Sequence, residues 1–275
     1  MLSVSNHDRD VVDLTYVYPV ISRRAGGVSL GINLNPNNAC NWQCVYCQVP
    51  NLTRGVAPKV DLTLLEQELD GFLQQLLLGD YMLKHVPADC RTLQDIAISG
   101  NGEPTTCPHF SAVVALLLKM MDKYHLNIPL RLITNGSSVH KADVLQGLQW
   151  MGQHGGEVWF KVDAIGEQDS LAINGVSLSA AWQQQQLHIT AKACPTWLQT
   201  CVLDMQGQQG QWAANYLAWL NGVLADHIQL EGVLLYGLAR PSLQAGGAQL
   251  KSADSTFFQT FAKQIEALGL LVKVS

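Results

Sequence analysis

Residues 38–50 read Asn-Ala-Cys-Asn-Trp-Gln-Cys-Val-Tyr-Cys-Gln-Val-Pro and bring Cys40, Cys44 and Cys47 together at C-x3-C-x2-C spacing. Thiols ligate as thiolates, and three thiolates this close repel one another unless a metal or cluster holds them. A tetrahedral zinc site needs a fourth ligand, and the next His and Cys, His85 and Cys90, lie far along the chain. The electron-transfer ferredoxin run needs four cysteines at a different spacing. Three ligands on a four-iron cube leave one iron open to a small molecule, and that reading fits the spacing best.

With an aromatic, Tyr46, just before the third Cys, the stretch resembles the signature of the radical S-adenosylmethionine (SAM) superfamily. The resemblance implies that Cys40, Cys44 and Cys47 hold a [4Fe-4S] cluster and that its open iron binds the amino and carboxylate groups of SAM. It also implies reductive cleavage of SAM to methionine and a 5′-deoxyadenosyl radical that takes hydrogen from a substrate. Such chemistry calls for a reducing partner such as a flavodoxin or ferredoxin.

Strand and helix patterns alternate behind this loop. Residues 15–21 and 28–33 read as strands, with a Gly26-Gly27 turn between them. Residues 61–78 carry a helical stripe from Leu62 to Leu76, with Thr63 and Glu66 as a capping box and Gly79 as its stop. Short strands at 95–99, 130–134, 158–162, 197–204 and 228–236 each have a helical pattern beside them, the one after 95–99 opening at Pro108. Counted from Val28, about six strands of this kind imply a parallel sheet, too few for an eight-stranded barrel. The expected fold is an α/β open, partial (β/α)6 barrel, which the resemblance implies as well. The expected organisation is an N-terminal extension (1–27), the barrel (28–241) and a C-terminal helix and strand (242–275).

Ligands in parallel α/β folds bind beyond the carboxyl ends of the strands. The second strand ends in Ser99-Gly100-Asn101-Gly102-Glu103-Pro104, where glycines allow close backbone approach to a ligand. This run resembles the superfamily's Gly-Gly-Glu-Pro element, which binds the SAM amino group. The third strand ends in Thr134-Asn135-Gly136, a strong turn whose Thr134 and Asn135 also face the site. Asp163, after the fourth strand, resembles a ribose-binding or substrate-facing position, and since Lys161 and Asp163 share a face, a plain ion pair is the alternative reading. The sixth strand, Gly232 to Tyr236, resembles the platform for adenine and reads equally as plain core. Cys90, Cys107, Cys194 and Cys201 show no ligand spacing and read as small buried hydrophobes, with Cys201 the one most apt to face the barrel. Trp212 and Trp219 read as core.

Residues 18–50 are also similar to one branch of the superfamily, the Fe–S oxidoreductases related to wyosine-type tRNA-modifying enzymes, through Ser22-Arg23-Arg24, Gly26-Gly27 and Ser29-Leu30-Gly31. Arg240-Pro241 resembles the ending of the last strand there. The resemblance implies cofactors strongly and substrate hardly at all. The chain has 275 residues, 48% hydrophobic and 14% charged, enough for a large core. No apolar run reaches the roughly 18–20 residues of a membrane span, and no signal-peptide h-region opens the chain, so a cytoplasmic location is expected. The net charge is −5. Its basic residues are densest at Arg23, Arg24, Arg54 and Lys59, a local anion site that is weak support for RNA. A substrate plugging the open barrel fits a peptide, a protein or an RNA. The rivals are a non-catalytic iron–sulfur carrier or sensor and a zinc-binding RNA module.

Overall fold

The computed structural model describes residues 2, 13–22, 25–204, 207–238, 240–245 and 247–275. Arg23, Arg24 and Ala239 lie outside them. The chain runs β1 (Val17–Ser22), β2 (Gly27–Ile32), β3 (Ala39–Cys40), β4 (Thr53–Arg54), α1 (Leu62–Leu77), α2 (Tyr81–His85), β5 (Leu93–Ile98), α3 (Phe110–Lys123), β6 (Leu130–Thr134) and α4 (Ala142–Gln153). It continues with β7 (Glu157–Lys161), α5 (Glu167–Asn174), α6 (Ala180–Ala193), β8 (Thr196–Cys201), α7 (Gln209–Ala225), β9 (Gly232–Tyr236), α8 (Ser255–Glu266) and β10 (Val272–Val274). Eight strands form one curled sheet in the order β1-β2-β5-β6-β7-β8-β9-β10. All neighbours from β2 to β10 pair parallel, while β1 joins β2 antiparallel. The result is the open partial barrel expected from the alternation, with β1 and β10 added at its two edges.

Strand side chains alternate between two environments. On the outer face Leu30, Ile96, Leu132, Val158, Leu198 and Val233 are fully buried beneath the helices. The helical stripes meet them as the sequence predicts: Leu65, Leu69, Phe72, Leu73 and Leu76 from α1, and Phe110, Val113, Val114, Leu117 and Leu118 from α3. On the inner face the same strands carry Asp95, Arg131, Trp159, Lys161 and Gln199 toward a cavity.

Local details differ from the sequence reading. Asp61 caps α1, accepting from the Thr63 and Leu64 amides at 3.0 and 3.1 Å. Glu66 reaches outward to Lys119 (2.7 Å), so the capping box does not form. α3 opens at Phe110, not Pro108, because His109 takes a left-handed conformation (φ 61°) that breaks the helix before it. β8 stops at Cys201, and beyond it an isolated bridge joins Leu203 to Ser252. The helix α5 was not anticipated.

The edge strand β1 is protected. Asn33 bonds back to Tyr16, so by antiparallel alternation Val17, Pro19 and Ile21 turn their backbone groups outward. Pro19 has no N–H to offer there. The buried Glu68 carboxylate from α1 accepts the amides of Thr15 and Tyr16 at 2.8 Å and of Val17 at 3.3 Å. Replacing Glu68 by Ala leaves these amides without partners. The expected cost is about 3 kcal/mol in urea unfolding, with faster hydrogen exchange at residues 15–17.

Candidate functional site at the carboxyl rim of the barrel

The Cys loop follows β2 and lies across the carboxyl ends of the strands. The short parallel pair β3–β4 closes its base. Cys40, Cys44 and Cys47 line one cavity of about 900 Å³, which continues down the inner face of the sheet. Among the described residues, no three His, Cys, Asp or Glu side chains converge tightly enough to grip a single metal ion. A zinc tetrahedron with roughly 2.3 Å bonds would need its sulfurs about 3.8 Å apart; a cube accepts thiolates on separate corners. The Cys40 amide turn directs the Trp42 N–H at its sulfur (3.4 Å), and Asn174 Nδ2 lies 3.4 Å from Cys44 Sγ. Burial pushes the Cys40 thiol up to about 12 and the Cys44 thiol up to about 11, so neither is a thiolate without a cation beside it. Three half-buried sulfurs on one cavity wall, with N–H groups aimed at two of them, fit a cationic iron cluster.

Ser99, Gly100, Asn101, Gly102, Glu103 and Asn135 face the same cavity. The two glycines serve a close approach, though to another loop of the chain. A Cβ on Gly100 would stand 2.2 Å from Asn33 Oδ1, and one on Gly102 would stand 2.0 Å from the Ala39 carbonyl. They let the loop after β5 nest against the base of the Cys loop. Asn33 Oδ1 accepts the Asn35 and Asn101 amides (3.1 and 3.0 Å), and Asn101 Nδ2 bonds Asn38 Oδ1 (2.7 Å). Ser99 Oγ shares a hydrogen bond with Tyr18 OH at 2.9 Å.

Glu103 is buried, and its carboxylate is occupied. Oε1 accepts from the Thr105 amide (3.1 Å), the Thr105 hydroxyl (2.6 Å) and the Thr134 hydroxyl (2.5 Å), while Oε2 accepts the Asn135 amide (2.7 Å). Burial raises its pKa, and these bonds oppose the rise. Thr134 is fully buried and absent from the cavity lining; it holds Glu103 and the Gly136 amide. Asn135 Nδ2 reaches Asn41 Oδ1 in the Cys loop (3.0 Å). Glu103 thus braces the Thr134–Asn135 turn, and that turn braces the Cys loop.

Asp163 is likewise buried behind the cavity. Oδ1 accepts the Cys201 amide (3.0 Å), while Oδ2 accepts Tyr46 OH and Asn174 Nδ2, the latter at 2.9 Å. Lys161 Nζ lies 3.6 Å from Asp163 and donates to Tyr46 OH at 2.6 Å. The ion pair of the alternative reading is present, with Tyr46 bound into it. Burial and then Asp163 push the Tyr46 phenol well above its ordinary value. Burial works against the Lys161 charge, but Asp163, Tyr236, Cys44 and Cys201 together outweigh it and raise the ammonium's pKa. Tyr46 therefore ties the Cys loop to the end of β7.

Sequence reasoning missed Asn174 and α5. The C-terminal carbonyls of α5 accept Cys-loop amides: Asn174 O takes Gln43 N (3.0 Å) and Ile173 O takes Val45 N (2.9 Å). The available signal was Asn174-Gly175, a helix stop whose glycine is left-handed at φ 67°. Arg54, expected in a local anion site, instead donates to the carbonyls of Asn41 and Gly175 at 2.8 and 2.9 Å. Tyr236 lines the cavity, whereas Leu234 packs on Trp159 and Trp197. Cys107, Cys194 and Cys201 are buried, Cys90 partly so, and of these Cys201 touches the cavity. Trp212 and Trp219 are core, with indole N–H groups on the carbonyls of Asp163 and Ala180.

This architecture is the partial barrel of radical SAM enzymes. Solved structures with the same fold include TYW1 with a lysine–pyruvate adduct bound (TM-score 0.58, 13% identity, 88% of this chain and 74% of that one). A radical SAM methyltransferase from Sphaerobacter thermophilus also has a TM-score of 0.58, with 13% identity over 94% and 68% of the two chains. anSMEcpe with bound AdoMet and Kp18Cys peptide gives 0.55, with 14% identity over 90% and 63%. Among curated proteins, a UPF0026 protein of Helicobacter pylori is 28% identical over 132 residues, 48% of this chain and 38% of its own length. A GTPase Obg of Brachyspira hyodysenteriae is 26% identical over 130 residues, 47% of this chain and 17% of its own. The chain therefore spans well under half the length of these curated relatives. No protein-family model matches it.

Two outcomes are expected. Gly102→Ala forces the Ala39 carbonyl away and destabilises the protein by about 1–3 kcal/mol, read by denaturant unfolding. Burial holds the Cys107 and Cys194 thiols at about 11 and about 12. Since the unfolded thiols ionise near 8.5, stability is fully present below that pH and falls as pH rises toward 11. A pH series of unfolding midpoints checks this, and Cys107→Ser with Cys194→Ser flattens it.

Proposed function

We propose that this chain is a radical SAM enzyme, with Cys40, Cys44 and Cys47 as ligands of a [4Fe-4S] cluster and SAM on the iron they leave open. The observation that carries the reading is the meeting of the three cysteines with Ser99–Glu103 and Asn135 on one cavity at the carboxyl rim of a radical SAM barrel. Ser99, Gly100, Asn101, Gly102 and Asn135 are the groups that would meet SAM. Glu103, Thr134, Asp163 and Tyr46 hold those groups and the Cys loop in place. Bound there, cluster and SAM supply the hydrogen-abstracting chemistry of the superfamily.

The substrate is proposed to enter through the open side of the barrel and reach the inner face between Arg131, Trp159 and Gln199. A peptide or protein stands ahead of RNA. The net charge is −5, and Arg54 is engaged with backbone carbonyls. The peptide bound by anSMEcpe supports the same order. TYW1, with its lysine–pyruvate adduct, is the precedent for a carbonyl compound. The electron is proposed to come from a partner such as a flavodoxin or ferredoxin. No helix among the described residues is long and apolar enough to cross a membrane, which agrees with the proposed cytoplasmic location.

Anaerobic purification and reconstitution test the reading. The expected protein is brown, carries about four irons per chain and releases methionine from SAM under dithionite; Cys44→Ala loses both properties. A colourless, zinc-loaded protein overturns the proposal. An iron-loaded protein that leaves SAM intact points to the electron-carrier rival.

A further inference from the structure

Asn174 is the last residue of α5 and is almost completely buried. Its side-chain orientation is set by chemistry. Asp163 Oδ2, 2.9 Å away, can only accept, so Nδ2 must face it. The same nitrogen has a second proton, and Cys44 Sγ lies 3.4 Å from it. The other end of the amide gains nothing from this pose, for Oδ1 is buried without a partner. A buried orphan acceptor is costly. The pose is retained where Nδ2 serves a carboxylate and a sulfur together.

The backbone around Asn174 fixes that nitrogen in space. The Gln43 and Val45 amides on either side of Cys44 bond to the carbonyls of Asn174 and Ile173. A Cβ on Gly175 would stand 2.9 Å from the Gln43 carbonyl, so the contact between α5 and the Cys loop is close. The loop cannot shift against α5 without breaking these bonds.

Resting on the cluster reading above, we infer that Asn174 is a positioning residue that donates an N–H···S hydrogen bond to the Cys44 thiolate and thereby raises the reduction potential of the cluster. A donor aimed at a ligating sulfur stabilises the form with more negative charge, which is the reduced one. Asp163, by accepting the other proton of the same nitrogen, holds the donor on target. The dyad therefore links the clamp on Tyr46 to the electronic state of the site.

The test compares the full-length wild-type and Asn174→Ala proteins, reconstituted anaerobically and titrated with dithionite under EPR. Equal iron content and a lower midpoint potential in the variant are expected. Wild-type protein carrying ¹⁵N only in asparagine side-chain amides should also show a nitrogen coupling to the reduced cluster. Full iron with an unchanged midpoint overturns the inference and leaves the radical SAM reading intact. Failure of the wild type to take up iron overturns that reading instead. Where Asn174→Ala does not hold iron, Asn174→Ser keeps a donor for Asp163 but stops short of the sulfur, and a wild-type midpoint there also overturns the inference. Absence of the nitrogen coupling in the wild type overturns it whatever the variants do.

Discussion

The structure depends on how an irregular loop with three half-buried cysteines finds partners for its backbone. A buried loop outside helix and sheet has polar groups that water cannot reach. Here the surrounding segments supply the partners. The end of α5 takes the amides of Gln43 and Val45, and Leu243 donates to the Cys47 carbonyl. Ser242 donates to the carbonyl of Val45, and Gln244 to that of Val49. The ties come from the end of α5 and from residues 242–244 in the loop after β9, both distant in sequence, so the loop's shape depends on the closed barrel. The Cys loop and the sheet are therefore one folding problem.

The inner face of the sheet has a second polar system below the cysteines. Arg131 on β6 reaches Asp95 on β5 and, at 2.5 Å, Glu157 on β7; its guanidinium lies 4.9 Å from the Trp159 ring centre. Ser29 bonds the same Asp95. Burial raises the Asp95 pKa, and Arg131 opposes that rise. Isolated, such charges would be costly to bury; joined across three strands they satisfy one another. The cavity thus has two polar ends, with the sulfurs at the rim and this ladder deeper in. Gln199 Oε1 lies buried between them without a protein partner.

Much of this was legible from residue order. The period of two located the parallel strands, and the strand ends then pointed to Ser99–Glu103, Thr134–Asn135 and Asp163. What did not show is where those side chains turn. Glu103 and Asp163 look like ligand contacts on a one-dimensional string, yet their oxygens are filled by residues between 2 and 117 positions away. Gly100 and Gly102 signal close approach, but not what approaches. α5 escaped because its eight residues bury Ser170 and Asn174 beside Ile173, so no apolar stripe announces it. At α1, Asp61 and Thr63 were both chemically able to cap, and only the chain's path chose Asp61. Long-range pairing decides such matters, and local propensity does not record it.

Alongside the charged clamps of Glu103, Asp163 and Arg54, many of the rim's fasteners are neutral amides. Asn33, Asn35, Asn38, Asn41, Asn101, Asn135 and Asn174 join its loops to one another. Uncharged fasteners add no field of their own beside the thiolates, and added salt has little in them to screen. Their weakness is chemical ageing. Asn101, Asn135 and Asn174 each precede a glycine, the neighbour least able to shield an amide from its own backbone, and asparagine is a thermolabile residue. Hydrolysis there would set a fresh carboxylate against Asn38 Oδ1, Asn41 Oδ1 or Asp163 Oδ2, so the molecule's working lifetime is bounded by how firmly the fold immobilises those three dipeptides.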